Sequence, residues 1–248
     1  MTHCTDQIVG AVANIGGGAC KSTFSRNGLA SLIPKAILVS VEDWNSSQVN
    51  ADLEISSSKF FDFAAQLNCD DESDYILDIG ASNSKQMFEH FNVLTSTLQR
   101  ITHWIVPTRV GIKQRVDTLK TIQLLLKLDV DPSTVTVVGQ AILDVQSFDK
   151  DFSEIVAASK EYGFKFCDQA VLHTPIFELI KGSGQSVFDI VNAKPDFREL
   201  RRAAEGDEKR LMQVGHQMLV TDLATAAARN YLGVFESLDI GRQIYARG

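Results

Sequence analysis

Short apolar runs alternate with amphipathic stretches over the first two thirds of the chain. Ile8–Ala13 (IVGAVA), Ala36–Val41 (AILVSV), Tyr75–Ile79 (YILDI), Ile101–Val106 (ITHWIV), Thr134–Gly139 (TVTVVG) and the short Gln169–Leu172 predict buried strands. Helical spacing predicts Ser22–Leu32, which stops before Pro34, then Phe60–Leu67, Ser84–Leu98, Ile112–Leu128 and Phe152–Tyr162. Strand and helix in alternation predict an α/β fold: a doubly wound, mostly parallel sheet with helices on both faces. From Phe197 to Leu238 the pattern is helical throughout. There Val220, Leu223, Ala224, Ala227, Tyr231 and Val234 recur at i, i+3, i+4 and i+7, so one face should pack on the body. The expected organisation is an α/β domain over residues 1–196 and a helical C-terminal extension over residues 197–248 packed on it.

Composition narrows the class. The chain has 248 residues, 44% of them hydrophobic and 22% charged, as in ordinary soluble globular proteins. No apolar run approaches the roughly 18–20 residues of a membrane span, and the polar start Met1–Gln7 does not read as a secretory signal. Cys4, Cys20, Cys69 and Cys167 lie far apart with no C-x-x-C pair. Neither a zinc ribbon nor a disulfide framework is indicated, and a reducing cytoplasm is expected. The five histidines show no metal-ligand spacing. A net charge of −7 argues against a surface coated with basic patches, though not against one local patch. The densest basic cluster is Arg198, Arg201, Arg202, Lys209 and Arg210. It is interleaved with Glu199, Glu205, Asp207 and Glu208, which favours a solvated, ion-paired helix over a phosphate-binding face. Phe60, Phe61 and Phe63 read as core packing rather than a stacking platform.

The candidate chemistry lies between the first strand and the first helix, in Asn14-Ile15-Gly16-Gly17-Gly18-Ala19-Cys20-Lys21-Ser22-Thr23. A phosphate cradle needs this placement, because backbone N–H groups of the loop and of the helix start converge on the anion. Gly16, Gly17 and Gly18, with Ala19 and Cys20, would form the loop. Lys21 would bring a point charge to the β- and γ-phosphates, and Ser22 or Thr23 a hydroxyl to Mg²⁺. The match to G-x-x-x-x-G-K-[S/T] is incomplete, since its glycines fall on Ile15 and Cys20; a plain strand-to-helix turn is the competing reading. Asp78 closes the Tyr75–Ile79 run, where a carboxylate would hold Mg²⁺ through water. Glu42 and Asp43 follow the second strand, in a stretch that also reads as a solvated acidic loop.

The loop resembles the deviant Walker A form K-G-G-x-x-K-[S/T] of the ParA/MinD group of P-loop ATPases, with Gly17, Gly18, Lys21 and Ser22 in register. Within that group, Asp78-Ile79-Gly80-Ala81-Ser82-Asn83 looks like the StbB-type plasmid stability and TraL-type conjugation proteins. The resemblance implies ATP or ADP with Mg²⁺ as ligands. It also implies a nucleotide-dependent dimer of two copies, a DNA-bound adaptor as partner, and DNA binding without sequence preference. The implied role is plasmid segregation, stability or conjugative transfer. It further implies that Glu42, or Asp43 in a shifted register, orients water, and that Gly139 and Gln140 approach the adenine. The group's signature lysine, which reaches the partner's nucleotide, falls on Gly16. Hydrolysis is therefore expected to be slow or partner-dependent, unless Lys113 or Arg115 supplies the charge. Two other readings stand beside this one: a nucleotide-dependent interaction protein that does not hydrolyse, and a P-loop metabolic synthetase.

Overall fold

The computed structural model describes residues 7–42 and 51–240. Among these residues, seven strands form one parallel sheet in the order β3-β2-β4-β1-β5-β6-β7. β1 (Val9–Ala13) is central, between β4 (Tyr75–Ile79) and β5 (His103–Thr108). β2 (Ile37–Val41) and the edge strand β3 (Leu53–Ile55) lie beyond β4; β6 (Val135–Gly139) and β7 (Lys165–Phe166) lie beyond β5. The chain leaves β1 towards β2 on one side. It returns through β4 and crosses to β5 on the other. The strand order therefore reverses around β1, and the crevice at its carboxyl end is where open sheets of this kind bind ligands.

The inner strands are buried on both faces, which is why they read as unbroken apolar runs. Period-two alternation divides their side chains. Val9, Ala11, Val39, Tyr75, Leu77, Trp104 and Val106 face one core, shared with α2 (Phe60–Cys69), α3 (Ser84–Phe91) and α5 (Ile112–Lys127). Val12, Leu38, Ile76, Ile105 and Val138 face the other, under the helix that follows β1 and under the C-terminal end of the last helix, α11 (Glu208–Ser237). Helices α4 (Thr95–Arg100), α6 (Phe148–Asp151), α7 (Ser153–Tyr162), α8 (Ile176–Leu179), α9 (Val187–Asn192) and α10 (Phe197–Ala203) complete the described elements.

Five expectations change. The last strand is Lys165–Phe166, and Gln169–Leu172 contributes only a single bridge, from Leu172 to Ile142. A short edge strand, β3, appears where no apolar run announced one. Ser84–Leu98 is not one helix: α3 ends at Phe91 and α4 begins at Thr95, with Asn92-Val93-Leu94 turning between them. Phe197–Leu238 is broken by Gly206 at φ +84°, and Asp207 then caps α11 by accepting from the Arg210 amide at 3.0 Å. Phe60 and Phe63 are buried as expected, whereas Phe61 is exposed.

The apolar stripe of α11 packs as its spacing indicates. Ala224, Ala227, Tyr231 and Val234 are buried, with Val220 and Leu223 partly buried beside α9. Tyr231 packs its ring 5.9 Å from the rings of both Phe24 and Phe177, and its hydroxyl is buried without a hydrogen-bond partner. Removing an unsatisfied hydroxyl costs nothing in lost bonding, whereas removing the ring leaves a cavity. Urea unfolding should therefore show Tyr231→Phe at least as stable as the natural chain, and Tyr231→Ala about 3–5 kcal/mol less stable.

Candidate functional site

The loop after β1 is held from below by one side chain. Asn14 is fully buried; its Nδ2 donates to the Pro107 carbonyl at 2.8 Å and to Thr118 Oγ1 at 2.9 Å, and its Oδ1 accepts the Gly16 amide at 2.7 Å. The Ile15 amide donates to Thr121 Oγ1 at 3.1 Å. Ser84 Oγ donates to the Asn14 carbonyl at 3.3 Å and to the Gly80 carbonyl at 2.8 Å. The loop base is thereby fixed to β5, α5 and the start of α3. Past it the backbone turns left-handed at Gly18 (φ +73°) and Cys20 (φ 59°) before entering α1 (Lys21–Phe24). Gly18 adopts this geometry without strain. Cys20 adopts it at a cost of roughly 1–2 kcal/mol, at the position where the standard loop has glycine. The helix continues as a π-helical turn, Ser25–Ala30, in which Asn27 Oδ1 accepts the Val187 amide at 3.0 Å and so links this turn to α9.

Lys21 stands in the middle of this loop. It is 7% exposed, and its Nζ donates to the carbonyls of Asn14 at 3.0 Å and Gly16 at 3.1 Å. Burial lowers its pKa, while the charges of Asp78 and Glu42 raise it. Asp78 pairs in register with Val12 and Ser40, so its side chain lies on the α1 face of the sheet. It is 2% exposed and its Oδ1 has no hydrogen-bond partner. Burial pushes its carboxyl up to about 6, against the opposing pull of Ser22, Lys21 and Ser25. Lys21 and Asp78 sense each other's charge without forming an ion pair. Glu42 lies beside them: its Cγ is 3.1 Å from the place a Cβ on Gly80 would take.

These residues fit a phosphate-bound Mg²⁺. An orphaned buried carboxylate oxygen and the Ser22 hydroxyl are hard donors of the right kind, and Mg²⁺ takes its remaining ligands from phosphates and water. No cluster of three metal-ligating side chains exists among the described residues, so a metal here would arrive with its nucleotide. Two cavities flank the helix start and share Thr23, Phe177 and Glu178. One of about 410 Å³ is lined by Ser22, Arg26, Asn27 and Glu42. The other, of about 210 Å³, is lined by Cys20, Arg109, Gln140 and His173.

Nearly every residue expected at the site is brought together: Gly16 to Thr23, Asp78 and Glu42. Asp43 lies outside the described residues. Gly16 is buried, and a Cβ there would fall 2.8 Å from Asp117 Oδ2, 3.0 Å from Asp117 Cβ and 3.1 Å from Asn14 Oδ1. The space at the start of a lysine side chain is thus taken by α5. Arg115 is not available as a replacement cation. It is bound to the Val110 carbonyl and pairs with Glu154 at 3.6 Å. No sequence signal singles out Asn14, Asp117 or Arg109. Asn14 precedes the glycines, but only the fold shows that it anchors them to two other elements.

No family model matches the chain, and no curated protein matches it. Solved structures do. The MinC:MinD cell division complex of Aquifex aeolicus aligns with a TM-score of 0.52 at 11% identity, over 91% of this chain and 96% of that one. The chain shares the fold of MinD. Aquifex aeolicus MinD alone gives a TM-score of 0.50 at 13% identity, over 91% and 97% of the two chains. An ATP complex of a Cyanothece McdA variant gives 0.46 at 15% identity, over 86% and 96%. At these identities the shared property is the fold, and the chemistry rests on the residues above.

The raised Asp78 pKa has a stability consequence. A carboxyl whose folded pKa is near 6, against an ordinary 3.8, holds its proton longer in the folded state. Its contribution is fully present below pH 3.8 and is lost as pH rises through 6, a swing of about 3 kcal/mol. Asp78→Asn should therefore be more stable than the ligand-free natural chain at pH 7.5 and equal to it near pH 3.5, measured by denaturant unfolding at both values.

Proposed function

We propose that this protein is a ParA-like, Mg²⁺-dependent nucleotide-binding protein. ATP or ADP would sit in the loop Gly16–Thr23, and hydrolysis would be slow or dependent on a partner. The observation that carries the reading is a buried, backbone-held Lys21 close to a buried Asp78 whose oxygen has no partner, with no ion pair between them. Such charges are costly unless something enters between them. A Mg-bound polyphosphate has the matching chemistry. Lys21 would turn from the loop carbonyls to the β/γ-phosphates, and Ser22 with Asp78 would hold the metal, which supplies charge neutralisation when bound. Glu42 is placed to orient water, with Asp43 its alternative. The nucleoside would extend past Thr23 into the Gln140 cavity, where the buried Gln140 Nε2 lacks a partner.

In biological terms, the sequence resemblance supports a role in plasmid segregation, stability or conjugative transfer. The protein would act as a nucleotide-dependent dimer with a DNA-bound adaptor and with DNA bound non-specifically. We read residues 1–196 as the nucleotide-binding domain and residues 197–248 as its helical extension. A second reading, nucleotide-dependent interaction without hydrolysis, is favoured by one observation: Asp117 occupies the space where a signature lysine would begin at Gly16. A cation in the phosphoryl-transfer transition state is worth roughly 10³–10⁵ in rate where enzymes use one.

Phosphate release and calorimetry separate these readings. The natural chain should bind Mg-ATP and Lys21→Ala should not. The natural chain alone should release phosphate very slowly, and addition of DNA and the DNA-bound adaptor should accelerate it. No acceleration under any condition would favour the second reading. Unchanged ATP affinity in Lys21→Ala would exclude both.

A further inference from the structure

The missing signature lysine leaves open which other cation meets the phosphates. Lys113 and Arg115 are the basic residues nearest in sequence to the ligand edge. Arg115 is committed to Val110 and Glu154, and Lys113 lines neither cavity beside the loop. Arg26, on the helix that follows the loop, donates to the Gly184 carbonyl. Arg26 and Lys181 line the larger cavity, whereas Arg109, which follows Thr108 at the carboxyl end of β5 next to β1, is the arginine that lines the Gln140 cavity. It is exposed, and among the described residues no carboxylate lies within ion-pair distance of it. It lines the same cavity as Cys20 and Thr23 of the loop and as Gln140.

The side on which it lies matters. Ser22, Asp78 and Glu42 mark the metal and terminal-phosphate end of the site. Ser22 and Glu42 line the larger cavity, and none of the three lines the cavity that holds Arg109. Arg109 stands at the other end, where the phosphate chain would meet the nucleoside. We infer that Arg109 is a phosphate-binding residue supplied by the same chain, contacting the nucleoside-proximal phosphate from the rim of the Gln140 cavity. An arginine suits this place, since its planar fork can donate two hydrogen bonds to one phosphate. A cation there grips ATP and ADP alike. It compensates for the absent lysine in holding nucleotide, and it does nothing for the charge that develops on the terminal phosphate. The site would then be a tight holder with weak turnover.

The inference rests on the nucleotide-binding reading, and one calorimetric series tests the two separately. Mg-ATP and Mg-ADP are each titrated into the natural full-length chain, Arg109→Ala, Arg109→Lys and Lys113→Ala. Charge-assisted hydrogen bonds of this kind are worth about 10- to 100-fold in affinity. Arg109→Ala should lose at least about 10-fold for both nucleotides by a similar factor, Arg109→Lys should recover part of it, and Lys113→Ala should match the natural chain. Thermal melts of the four ligand-free proteins should coincide, because no ion pair is lost with Arg109. A natural chain that binds neither nucleotide would overturn the nucleotide reading and this inference with it. A natural chain that binds both, with Arg109→Ala unchanged, would overturn this inference alone. Loss for ATP with ADP unaffected would place the guanidinium at the terminal phosphate and contradict the assignment.

Discussion

A buried ammonium and a buried carboxylate that do not touch each other are the constraint on which the site depends. Lys21 satisfies itself on two loop carbonyls, and Asp78 keeps an oxygen with no partner. In the empty state this arrangement is unfavourable: burial pulls the lysine's pKa down and the aspartate's up, so each group is pressed towards its neutral form. A fold optimised for stability alone would close the two into an ion pair or replace them with apolar groups. Here the sheet places Asp78 on the α1 face by strand register, and Asn14 pins the loop so that Lys21 cannot simply leave. The separation between the charges is thus maintained by elements that gain their stability elsewhere, in the two cores on either side of the sheet.

That division of labour explains why so much of the architecture is legible in the sequence. Central strands buried on both faces must be apolar throughout, and YILDI or TVTVVG can be little else. A carboxylate at the end of such a run is conspicuous because everything around it is not polar. Elements whose identity is set by neighbours are less visible. Lys165–Phe166 becomes a strand because β6 offers it an edge, while the more apolar Gln169–Leu172 contributes a lone bridge. Nothing in Leu53-Glu54-Ile55 distinguishes an edge strand from a loop. The break at Gly206 depends on one left-handed residue within an otherwise helical pattern.

The site itself divides in the same way. The glycines, Lys21 and Asp78 are recognisable in the linear sequence because each must have its particular chemistry. Asn14 and Asp117 act through contacts that join the end of β1 to α5 and β5, and no spacing rule connects residues so far apart in the chain. Asp117 in particular turns a sequence departure into a physical statement: Gly16 is not an open place awaiting a side chain, since α5 already occupies the space where one would begin. Cys20 makes a related point. A left-handed residue that is not glycine is held in strain at a ligand loop, and such strain persists where the surroundings over-determine the backbone.

The central claim is that the loop between β1 and α1 is where a Mg-bound nucleotide sits. Amide hydrogen exchange on the natural chain, with and without saturating Mg-ADP, tests this by location. New protection should concentrate in Ile15–Thr23 and the first turns of the helix behind it, with smaller changes at Gln140. Protection confined to the α10–α11 region with the loop unchanged, or no protection anywhere at saturating nucleotide, would contradict it.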